Sequence, residues 1–307
     1  MNNQPYTNFP EGLTSLGVPL IGSGQVPVTS GNYWFVDGTN GNDGAGGQTL
    51  GEALATIGEA AARATINDVI LVFPGTYTEA VSCSTAGVRF IAVGSATNSV
   101  KWQGATDATC LTLGAANMGV YGFRFTPPVR SAGTPAAVKL SSASYAKIVG
   151  NRFQGTTGSY YAIYSPVCNS DNVIIENNDF EYLNTATEGS AIYCLEAGGL
   201  SYSDWIIRGN KFSSCIRGIY LNGRVCLVSG NHIAQAGITA AGSVNTNVTT
   251  TKVNLSGVSG TSSGANQVHG NFFGGTYSIA GGYTPAASGD DWSGNYVVAG
   301  VTTALPA

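Results

Sequence analysis

The residues that can carry out acid–base chemistry are concentrated in one stretch of the sequence. Its acidic side chains and two nearby arginines are Asp171, Glu176, Asp179, Glu181, Glu188, Glu196, Asp204, Arg208 and Arg217. Glycosidases use two carboxyl groups about 5 to 9.5 Å apart, one as an acid and one as a base or nucleophile. Because nothing in the spacing forces that separation, we predict no catalytic residue and keep Glu176, Asp179 and Arg208 as candidates.

Residues that could bind a metal are sparse. His232 and His269 occupy different positions of a local repeat, so they predict neither a metal pair nor a catalytic triad. Asp37, Asn42 and Asp43 lie in a loop of Gly, Asn and Asp, where they can act as calcium ligands or as turn residues. We therefore predict no metal and no cofactor.

The six cysteines are best interpreted as small buried apolar residues. Several have apolar neighbours, as Cys194 does, and no CxxC motif occurs. Their irregular spacing argues against a zinc site, and a reducing compartment argues against a disulfide framework. The six are Cys83, Cys110, Cys168, Cys194, Cys215 and Cys226.

Few charges and many glycines set this chain apart from an ordinary globular domain. It has 13 Lys and Arg, 17 Asp and Glu and 43 Gly in 307 residues, a net charge of −4 and a pI near 5.1. An apolar fraction of 43% disfavours disorder, and glycines without a three-residue period exclude collagen. Without a basic patch or an apolar run of about 18 residues, we expect neither a nucleic-acid partner nor a membrane span. The composition favours an all-β protein.

A local motif recurs along the second half of the chain: Gly or Asn, usually Asn, then any residue, then a large apolar residue. Its asparagines are spaced 27, 32, 21, 40 and 24 residues apart and are Asn151, Asn178, Asn210, Asn231, Asn271 and Asn295. A constant motif at variable spacing predicts the coils of a parallel β-helix joined by loops of different length. We expect each asparagine to turn a corner in the left-handed backbone region and to bond the asparagine of the next coil. Residues 237–266, in the longest interval, predict a lateral loop or an extra coil.

The repeat also predicts where the neighbouring side chains point. The residues expected to form an inward column are Phe153, Phe180, Phe212, Ile233, Phe273 and Val297. Roughly eight coils about 4.8 Å apart give a rod about 40 Å long. On the outside, Arg152, Asp179 and Lys211 are expected to form a ladder of alternating charge, and Glu176 to lie beside Arg208. We favour this pairing over catalysis as the role of these charges.

The first part of the chain differs from the repeats. Residues 1–31 are nearly uncharged and rich in Pro and Gly, which predicts an extended arm ahead of one β-helix domain at residues 32–307. Thr49 and Glu52 indicate a capping box, and the apolar spacing that follows predicts a helix over residues 50–64.

With these elements identified, the sequence resembles a known superfamily. Residues 35–37 (FVD), 40–44 (NGNDG) and 73–79 (FPGTYTE) are similar to the entry segment of right-handed parallel β-helix proteins of the pectate-lyase-like superfamily. The asparagine motif extends this resemblance over residues 33–300. It implies an all-β, right-handed parallel β-helix solenoid whose N-terminal end is plugged by the helix. Residues 9–20 resemble the N-termini of β-helix virion proteins of tailed phages.

The superfamily contains enzymes, and the resemblance implies where their residues would fall. Polygalacturonase-like members carry Asn-x-Asp, Asp-Asp, Gly-His-Gly and Arg-x-Lys in that order. Here residues 177–179 (NND) and 290–291 (DD) fit the first two patterns but lie about five repeats apart. Residues 230–232 (GNH) and 208–211 (RGNK) break the other two. Lyase-like members combine acidic calcium ligands with a basic residue that abstracts a proton, and the acidic stretch described above is the best place for that chemistry.

The function expected from these features is structural. The first residues do not resemble a secretory signal, so we expect synthesis in a host cytoplasm. With the phage resemblance, this favours a virion protein, most simply a homotrimeric capsid decoration protein whose arm binds the capsid or another virion protein. The arm residues expected to bind are Phe9, Leu13, Leu16, Val18 and Leu20. The alternatives are a tailspike-like or secreted polysaccharide lyase or glycoside hydrolase, and a non-catalytic adhesin that binds a host surface glycan.

Overall fold

The computed structural model shows a parallel β-helix, which confirms the predicted fold class. The chain winds through three sheets of stacked parallel strands, and one strand of each sheet belongs to each of the eight coils in the described ranges. The residues that the structure describes are 13–15, 18–21, 29–94, 99–166, 170–183, 189–194, 202–221, 223–233, 251–254, 265–274, 283–284, 289–297 and 300–304.

Each coil runs through sheet 1, sheet 2 and sheet 3 in that order. The nine strands of sheet 1 are Tyr33–Val36, Val69–Val72, Arg89–Ala92, Gly119–Tyr121, Lys147–Val149, Ile174–Glu176, Ile206–Arg208, Leu227–Ser229 and Gln267–His269. The ten strands of sheet 2 are Gly75–Tyr77, Val100–Gln103, Arg124–Thr126, Arg152–Gln154, Asp179–Glu181, Lys211–Ser213, His232–Ile233, Phe272–Phe273, Tyr296–Val297 and Gly300–Val301. The eight strands of sheet 3 are Val81–Cys83, Leu111–Leu113, Ala136–Leu140, Tyr161–Ser165, Ser190–Cys194, Arg217–Leu221, Thr251–Asn254 and Tyr283–Thr284. A separate pair joins Tyr202–Ser203 to Gly223–Arg224.

The interior of the rod is a column of stacked aromatic rings beneath sheet 2. Phe125, Phe153, Phe180 and Phe212 follow one another with ring centroids 5.2, 4.9 and 4.9 Å apart and interplanar angles below 10°. The strand register then brings Ile233 into the same column, and Phe273 follows it. Each ring is almost completely buried, so the column contributes both apolar burial and about 0.5 to 1.5 kcal/mol per stacked pair.

Buried asparagine side chains run along the corner between sheet 1 and sheet 2. The backbone N–H and the Nδ2 of Asn178 both donate to Oδ1 of Asn210, at 2.9 and 3.0 Å. The Nδ2 of Asn210 in turn donates to the carbonyl of Ile175 and to Oδ1 of the next asparagine, at 2.9 and 3.0 Å. This pattern repeats along what we call the asparagine ladder, namely Asn151, Asn178, Asn210, Asn231, Asn271 and Asn295. All six are at most 2% exposed, so the protein itself supplies their hydrogen bonds.

The ladder ends on a different residue type. The backbone N–H of Asn295 donates to the hydroxyl of Thr302 at 2.9 Å, and this hydroxyl donates to the carbonyl of Trp292 at 2.7 Å. The strand that precedes the threonine, Gly300–Val301, runs antiparallel to Tyr296–Val297, unlike the other strands of sheet 2. Thr302 therefore takes the place that the asparagine of a further coil would occupy.

The left-handed residue at this corner is the one before each ladder asparagine, which corrects the expectation that the asparagine itself adopts that conformation. Gly150, Asn177 and Gly209 have φ of 66, 56 and 64°, and none of the six ladder asparagines has a positive φ. The turn from sheet 3 to sheet 1 uses a second left-handed column. In it Val225 has a φ of 54° although it is β-branched and 50% exposed.

The predicted helix over residues 50–64 is interrupted, which corrects its bounds. A 3₁₀ helix covers Leu50–Glu52 and an α-helix covers Ile57–Arg63. Between them, Leu54 forms a parallel bridge with Val36, and its N–H and C=O each make a 2.8 Å hydrogen bond. Because the backbone of Leu54 pairs like a strand, it cannot continue a helix.

The α-helix also begins at a different cap from the one predicted. Thr49 makes no capping bond, whereas the Thr56 hydroxyl accepts from the N–H of Glu59 at 3.2 Å. Ile57 and Ala60 are buried in the same apolar cluster as the coil interior, and the helix contacts the first strands of sheets 1 and 3. That it plugs the end of the rod stays a prediction.

Residues 237–266 contribute to a regular coil. Within this interval Thr251–Asn254 pairs in register with Arg217–Leu221, so it supplies the sheet 3 side of the seventh coil. Most of the remaining residues of the interval lie outside the described residues. The 40-residue spacing between two ladder asparagines therefore contains a sheet strand at the usual place.

We expect the substitution Asn210→Ala to lower the free energy of unfolding by about 3 to 5 kcal/mol. It removes four hydrogen bonds and leaves buried groups of Asn178 without partners. Urea denaturation followed by circular dichroism measures this change. Asn177→Gly is the matched control, because Asn177 is exposed and left-handed, and it should cost less than about 0.5 kcal/mol. A loss below about 1 kcal/mol for Asn210→Ala would contradict the structural importance of the ladder.

We expect Val225→Asn to raise the free energy of unfolding by about 1 kcal/mol, because asparagine tolerates the left-handed region better than a β-branched residue. The reverse experiment is Gly230→Ala, at a φ of 62° where an added Cβ would meet only one atom, at 3.9 Å. That change should lower the stability by about 1 kcal/mol through strain alone. Thermal denaturation of both variants should give shifts of opposite sign, and shifts of the same sign would refute the argument.

Candidate functional site

The outer face of sheet 2 carries one side chain per coil in a line parallel to the rod axis. Strand register aligns these side chains across nine consecutive strands. This set, which we call the axial column, consists of Thr76, Lys101, Arg124, Arg152, Asp179, Lys211, His232, Phe272 and Tyr296. Its charged members are followed by aromatic ones toward the end of the rod.

A hydrogen-bonded network joins the charged part of the axial column to the neighbouring column of sheet 2. Arg124 donates to Gln154, and the Nε2 of Gln154 lies 3.5 Å from a carboxylate oxygen of Glu181. The Nη2 of Arg152 contacts both oxygens of Glu181 at 2.9 Å. Glu181 follows Asp179 by two residues on the same strand, so both side chains point outward and their carboxyl groups are within hydrogen-bonding reach. The network therefore centres on a carboxyl pair.

The two carboxyl groups of this pair have opposite pKa shifts. Burial, the hydrogen bond with Glu181 and the charge of Glu181 raise the pKa of Asp179 to about 6, against the opposing effect of Lys211 and Arg152. Burial also acts to raise the pKa of Glu181, but the hydrogen bonds and charges around it, above all those of Arg152, leave that pKa lowered. The Oδ1 of Asp179 is buried and accepts no hydrogen bond. In mildly acidic solution, below about pH 6, Asp179 thus holds its proton while Glu181 is ionised.

The three candidates for catalysis lie on two different sheets. Asp179 is on sheet 2, whereas Glu176 and Arg208 are opposite each other on the outer face of sheet 1 and form an ion pair of 3.0 Å. The side chain of Arg208 is 51% exposed, so this pair contributes at most about 1 kcal/mol. Glu181 was missed as the partner of Arg152, because the sequence places Asp179 directly opposite Arg152. The alternation of Asp179, Phe180 and Glu181 was the signal that could have shown two outward carboxyl groups.

Lateral loops border the face where the sheet 2 strands end. Val129 and Ser159 form an antiparallel bridge between two of these loops, and the N–H of Asp107 donates to the carbonyl of Val129 at 2.9 Å. The guanidinium of Arg130, on the middle loop, lies 4.3 Å from the ring centroid of Tyr160 and donates to its hydroxyl at 2.7 Å. The loops of three successive coils are therefore tied into a wall beside the axial column.

At its far end the axial column exposes aromatic side chains. Phe272 and Tyr296 stack with centroids 4.9 Å apart and are 53% and 50% exposed. His232 meets Phe272 edge to face at 6.2 Å. Large apolar side chains this exposed, lying next to each other, mark a contact surface more often than isolated ones do.

The residues considered as metal ligands have other roles in the structure. The carboxylate of Asp37 accepts hydrogen bonds from two backbone N–H groups and from the side-chain amide of Asn40. These bonds lower the pKa of Asp37, and the bond from the Asn40 side chain has the largest effect. Asn42 accepts from the N–H of Gly44 at 2.8 Å. Asp43 accepts from two backbone N–H groups and a hydroxyl just before the α-helix. In the described ranges no group of three or more potential ligands is close enough to hold a metal ion.

The five described cysteines are buried and form no disulfide, and Cys168 lies outside the described residues. Burial raises the pKa of Cys110 and of Cys215 to about 12, which makes both poor nucleophiles. His232 and His269 lie on the outer faces of sheet 2 and sheet 1 respectively.

Of the predicted arm, residues 1–31, the structure describes two short strands and residues 29–31. Leu13–Ser15 and Val18–Ile21 form an antiparallel pair with each other, separate from the three sheets of the rod. Phe9 and Leu16, two of the residues expected to bind a partner, lie outside the described residues, and the virion and homotrimer expectations stay predictions. Among the described helices, none is long and apolar enough to cross a membrane.

Comparison with known proteins gives similarity at the level of solved structures. No family model and no curated protein sequence match the chain. A rhamnogalacturonan lyase is similar with a TM-score of 0.47 and 13% identity over 86% of this chain, which spans 61% of that enzyme. The ybhc protein of Escherichia coli gives 0.44 and 13% over 73% of this chain and 78% of its own. A GH136 lacto-N-biosidase from Eubacterium ramulus gives 0.33 and 11%, over 87% of this chain and 68% of that one.

Proposed function

We propose that the protein binds an elongated anionic glycan along the outer face of sheet 2. The observation that carries this proposal is the axial column, in which nine side chains are aligned by strand register. Coils repeat about every 4.8 Å, so such a line suits a polymer that runs along the rod rather than a compact ligand.

The charge of this face supports an anionic ligand. It carries Lys101, Arg124, Arg152 and Lys211 against the two carboxyl groups of Asp179 and Glu181. The chain as a whole has 17 acidic and 13 basic residues, so the excess of positive charge is local to the face. Lys101 and Lys211 are exposed and can reach carboxylate or sulfate groups.

The polar and aromatic groups support a carbohydrate as the polymer. Amide and hydroxyl groups of Gln103, Gln154 and Ser213 lie on the same face and can exchange hydrogen bonds with sugar hydroxyls. Beyond them, Phe272 and Tyr296 offer apolar surface to the C–H groups of a sugar. The hydrogen-bonded loops at the end of the sheet 2 strands border this face on one side.

We expect the double substitution Lys101→Ala/Lys211→Ala to weaken binding of an acidic polysaccharide about tenfold, the equivalent of about 1.4 kcal/mol. Affinity electrophoresis in gels containing polygalacturonate or heparin, with dextran as the neutral comparison, measures the change. The matched control is Lys139→Ala/Lys147→Ala, which removes two charges from the strands of sheets 3 and 1. Equal loss in the two variants would show that binding depends only on net charge, and would refute the proposed face. Displacement of the glycan by a single-stranded oligonucleotide at the same site would favour nucleic acid instead.

A second candidate function is hydrolysis at the carboxyl pair. The observation that favours it is the pKa of about 6 for Asp179 beside an ionised Glu181, which suits a general acid and base near neutral pH. The two groups are within hydrogen-bonding reach, and glycosidases require at least about 5 Å between theirs. The pair therefore resembles a dyad that shares a proton and activates water, rather than a glycosidase pair.

For this candidate, we expect wild-type protein to release reducing ends or acyl groups from the bound glycan and Asp179→Asn to be slower by a factor of about 100 or more. Colorimetric measurement of reducing ends, with chromatography of released acids, detects either reaction. Glu176→Gln is the control, because Glu176 belongs to the sheet 1 ion pair. If wild-type protein binds the glycan and releases nothing, the hydrolytic function is excluded and passive binding remains.

A further inference from the structure

We propose that Asp179 and Glu181 act as a one-proton switch that makes the outer face of sheet 2 bind anionic polymers more tightly in mildly acidic solution than at neutral pH. The claim that anionic polymers bind more tightly in mildly acidic solution, which we call the binding half, rests on the proposed function. The claim that the carboxyl pair holds one proton there, which we call the proton half, does not depend on that function. The switch requires two carboxyl groups held close together and an environment in which only one of them is ionised.

The strand geometry holds the two groups together. Asp179 and Glu181 flank the inward Phe180, whose ring is fixed between Phe153 and Phe212 at 4.9 Å on each side. Their strand pairs in register with the coil before and the coil after it. The two carboxyl groups therefore cannot separate by moving the backbone without disturbing the interior column.

The surroundings determine which carboxyl group is ionised. From the preceding coil, the Nη2 of Arg152 contacts both oxygens of Glu181 at 2.9 Å, and Gln154 approaches the same carboxylate. The following coil places Lys211 directly opposite Asp179. Two more titratable groups face the cluster, the phenol of Tyr182 and the buried thiol of Cys215.

Asp179 is the member of the pair that holds the proton. Its Oδ1 is buried and receives no hydrogen bond, whereas Glu181 is bound by the guanidinium of Arg152. Protonation removes the repulsion between two neighbouring carboxylates and lets Asp179 donate to Glu181. The arrangement therefore favours one proton on the pair over none until the solution approaches neutral pH.

The sign of the pH dependence follows from the shifts. Burial, with the neighbouring carboxylate, raises the pKa of Asp179 from 3.8 to about 6, so the folded protein holds a proton that the unfolded chain has released. The resulting stabilisation is fully present below about pH 4 and is lost as the pH rises through about 6. The lowered pKa of Glu181 acts in the opposite sense, but only below its ordinary value of 4.5. Between pH 5 and 8 the effect of Asp179 therefore dominates.

Loss of this proton also changes the charge of the face. With Asp179 neutral, four cationic side chains stand against one carboxylate, and with Asp179 ionised they stand against two. The added negative charge lies between Arg152 and Lys211, in the middle of the axial column. An anionic polymer that follows the column must pass over it. A change of one charge on the partly buried side chain of Asp179 corresponds to about a threefold change in affinity for a polymer that passes over it.

The proton half is tested by the stability of wild-type protein and Asp179→Asn between pH 5 and pH 8, measured by urea denaturation. We expect the wild-type stability to fall through about pH 6 relative to the variant, while the control Glu176→Gln follows wild type. Parallel curves for wild type and Asp179→Asn would overturn the switch. If Asp179→Asn does not fold, carbon NMR titration of the wild-type carboxyl groups decides the question, because the absence of a group titrating near pH 6 would equally overturn it.

The binding half is tested with dextran sulfate, whose charge is constant over this range, at one ionic strength and at pH 5 and 7.5. The comparison uses protein carrying His232→Gln, because His232 is a further titratable side chain of the axial column. We expect this protein to bind about three times more tightly at pH 5, and Asp179→Asn in the same background to bind equally at both pH values. Binding by His232→Gln protein that does not change with pH would refute the switch and leave the glycan-binding face intact. A stability curve with the expected fall, but no binding at either pH, would refute the proposed function and leave the proton on the pair established.

Discussion

The structure depends on one repeated interaction, the hydrogen bonding of a buried asparagine amide to the amide of the next coil. An amide has two N–H groups and an oxygen with two lone pairs, so each inner rung can serve the coil before it and the coil after it at once. In this protein that capacity is used fully, as at Asn210, which is bonded to the asparagines on both sides and to a sheet carbonyl. No other uncharged side chain of this size can repeat the pattern without leaving a buried donor or acceptor unsatisfied.

The aligned asparagine corners determine the register of the strands between them and the direction in which their side chains point. Once successive corners are aligned, the strands of sheet 2 are held in register, and every second side chain falls alternately into the aromatic interior or onto the outer face. The axial column is therefore a consequence of the ladder, as is the closeness of the carboxyl pair. The same strand that places Phe180 in the interior places Asp179 and Glu181 outside.

The features that repeat were predictable from the sequence, and those that depend on a single long-range contact were not. The asparagine positions and the inward Phe153, Phe180 and Phe212 follow from a motif that recurs, and the structure places them accordingly. The helix was mispredicted because a bridge from Leu54 to Val36 competes for the backbone, and no local pattern reveals that bridge. The cross-strand order of Arg152, Asp179 and Lys211 was predicted correctly, but the contact of Arg152 with Glu181 was not. A long guanidinium side chain can reach past the residue directly opposite it and contact a carboxylate one column away.

A solenoid of identical rungs has no intrinsic length, since every completed coil presents the template for another. At Asn295 a hydroxyl takes the place of the next amide. The hydroxyl of Thr302 accepts a hydrogen bond from the backbone N–H of Asn295 and donates to the carbonyl of Trp292. The strand Gly300–Val301 runs antiparallel to Tyr296–Val297, so it interrupts the parallel pairing of sheet 2 at this edge. This edge of sheet 2 therefore differs from the edge of a fibre made by the same stacking, where every layer offers the next one the same parallel pairing.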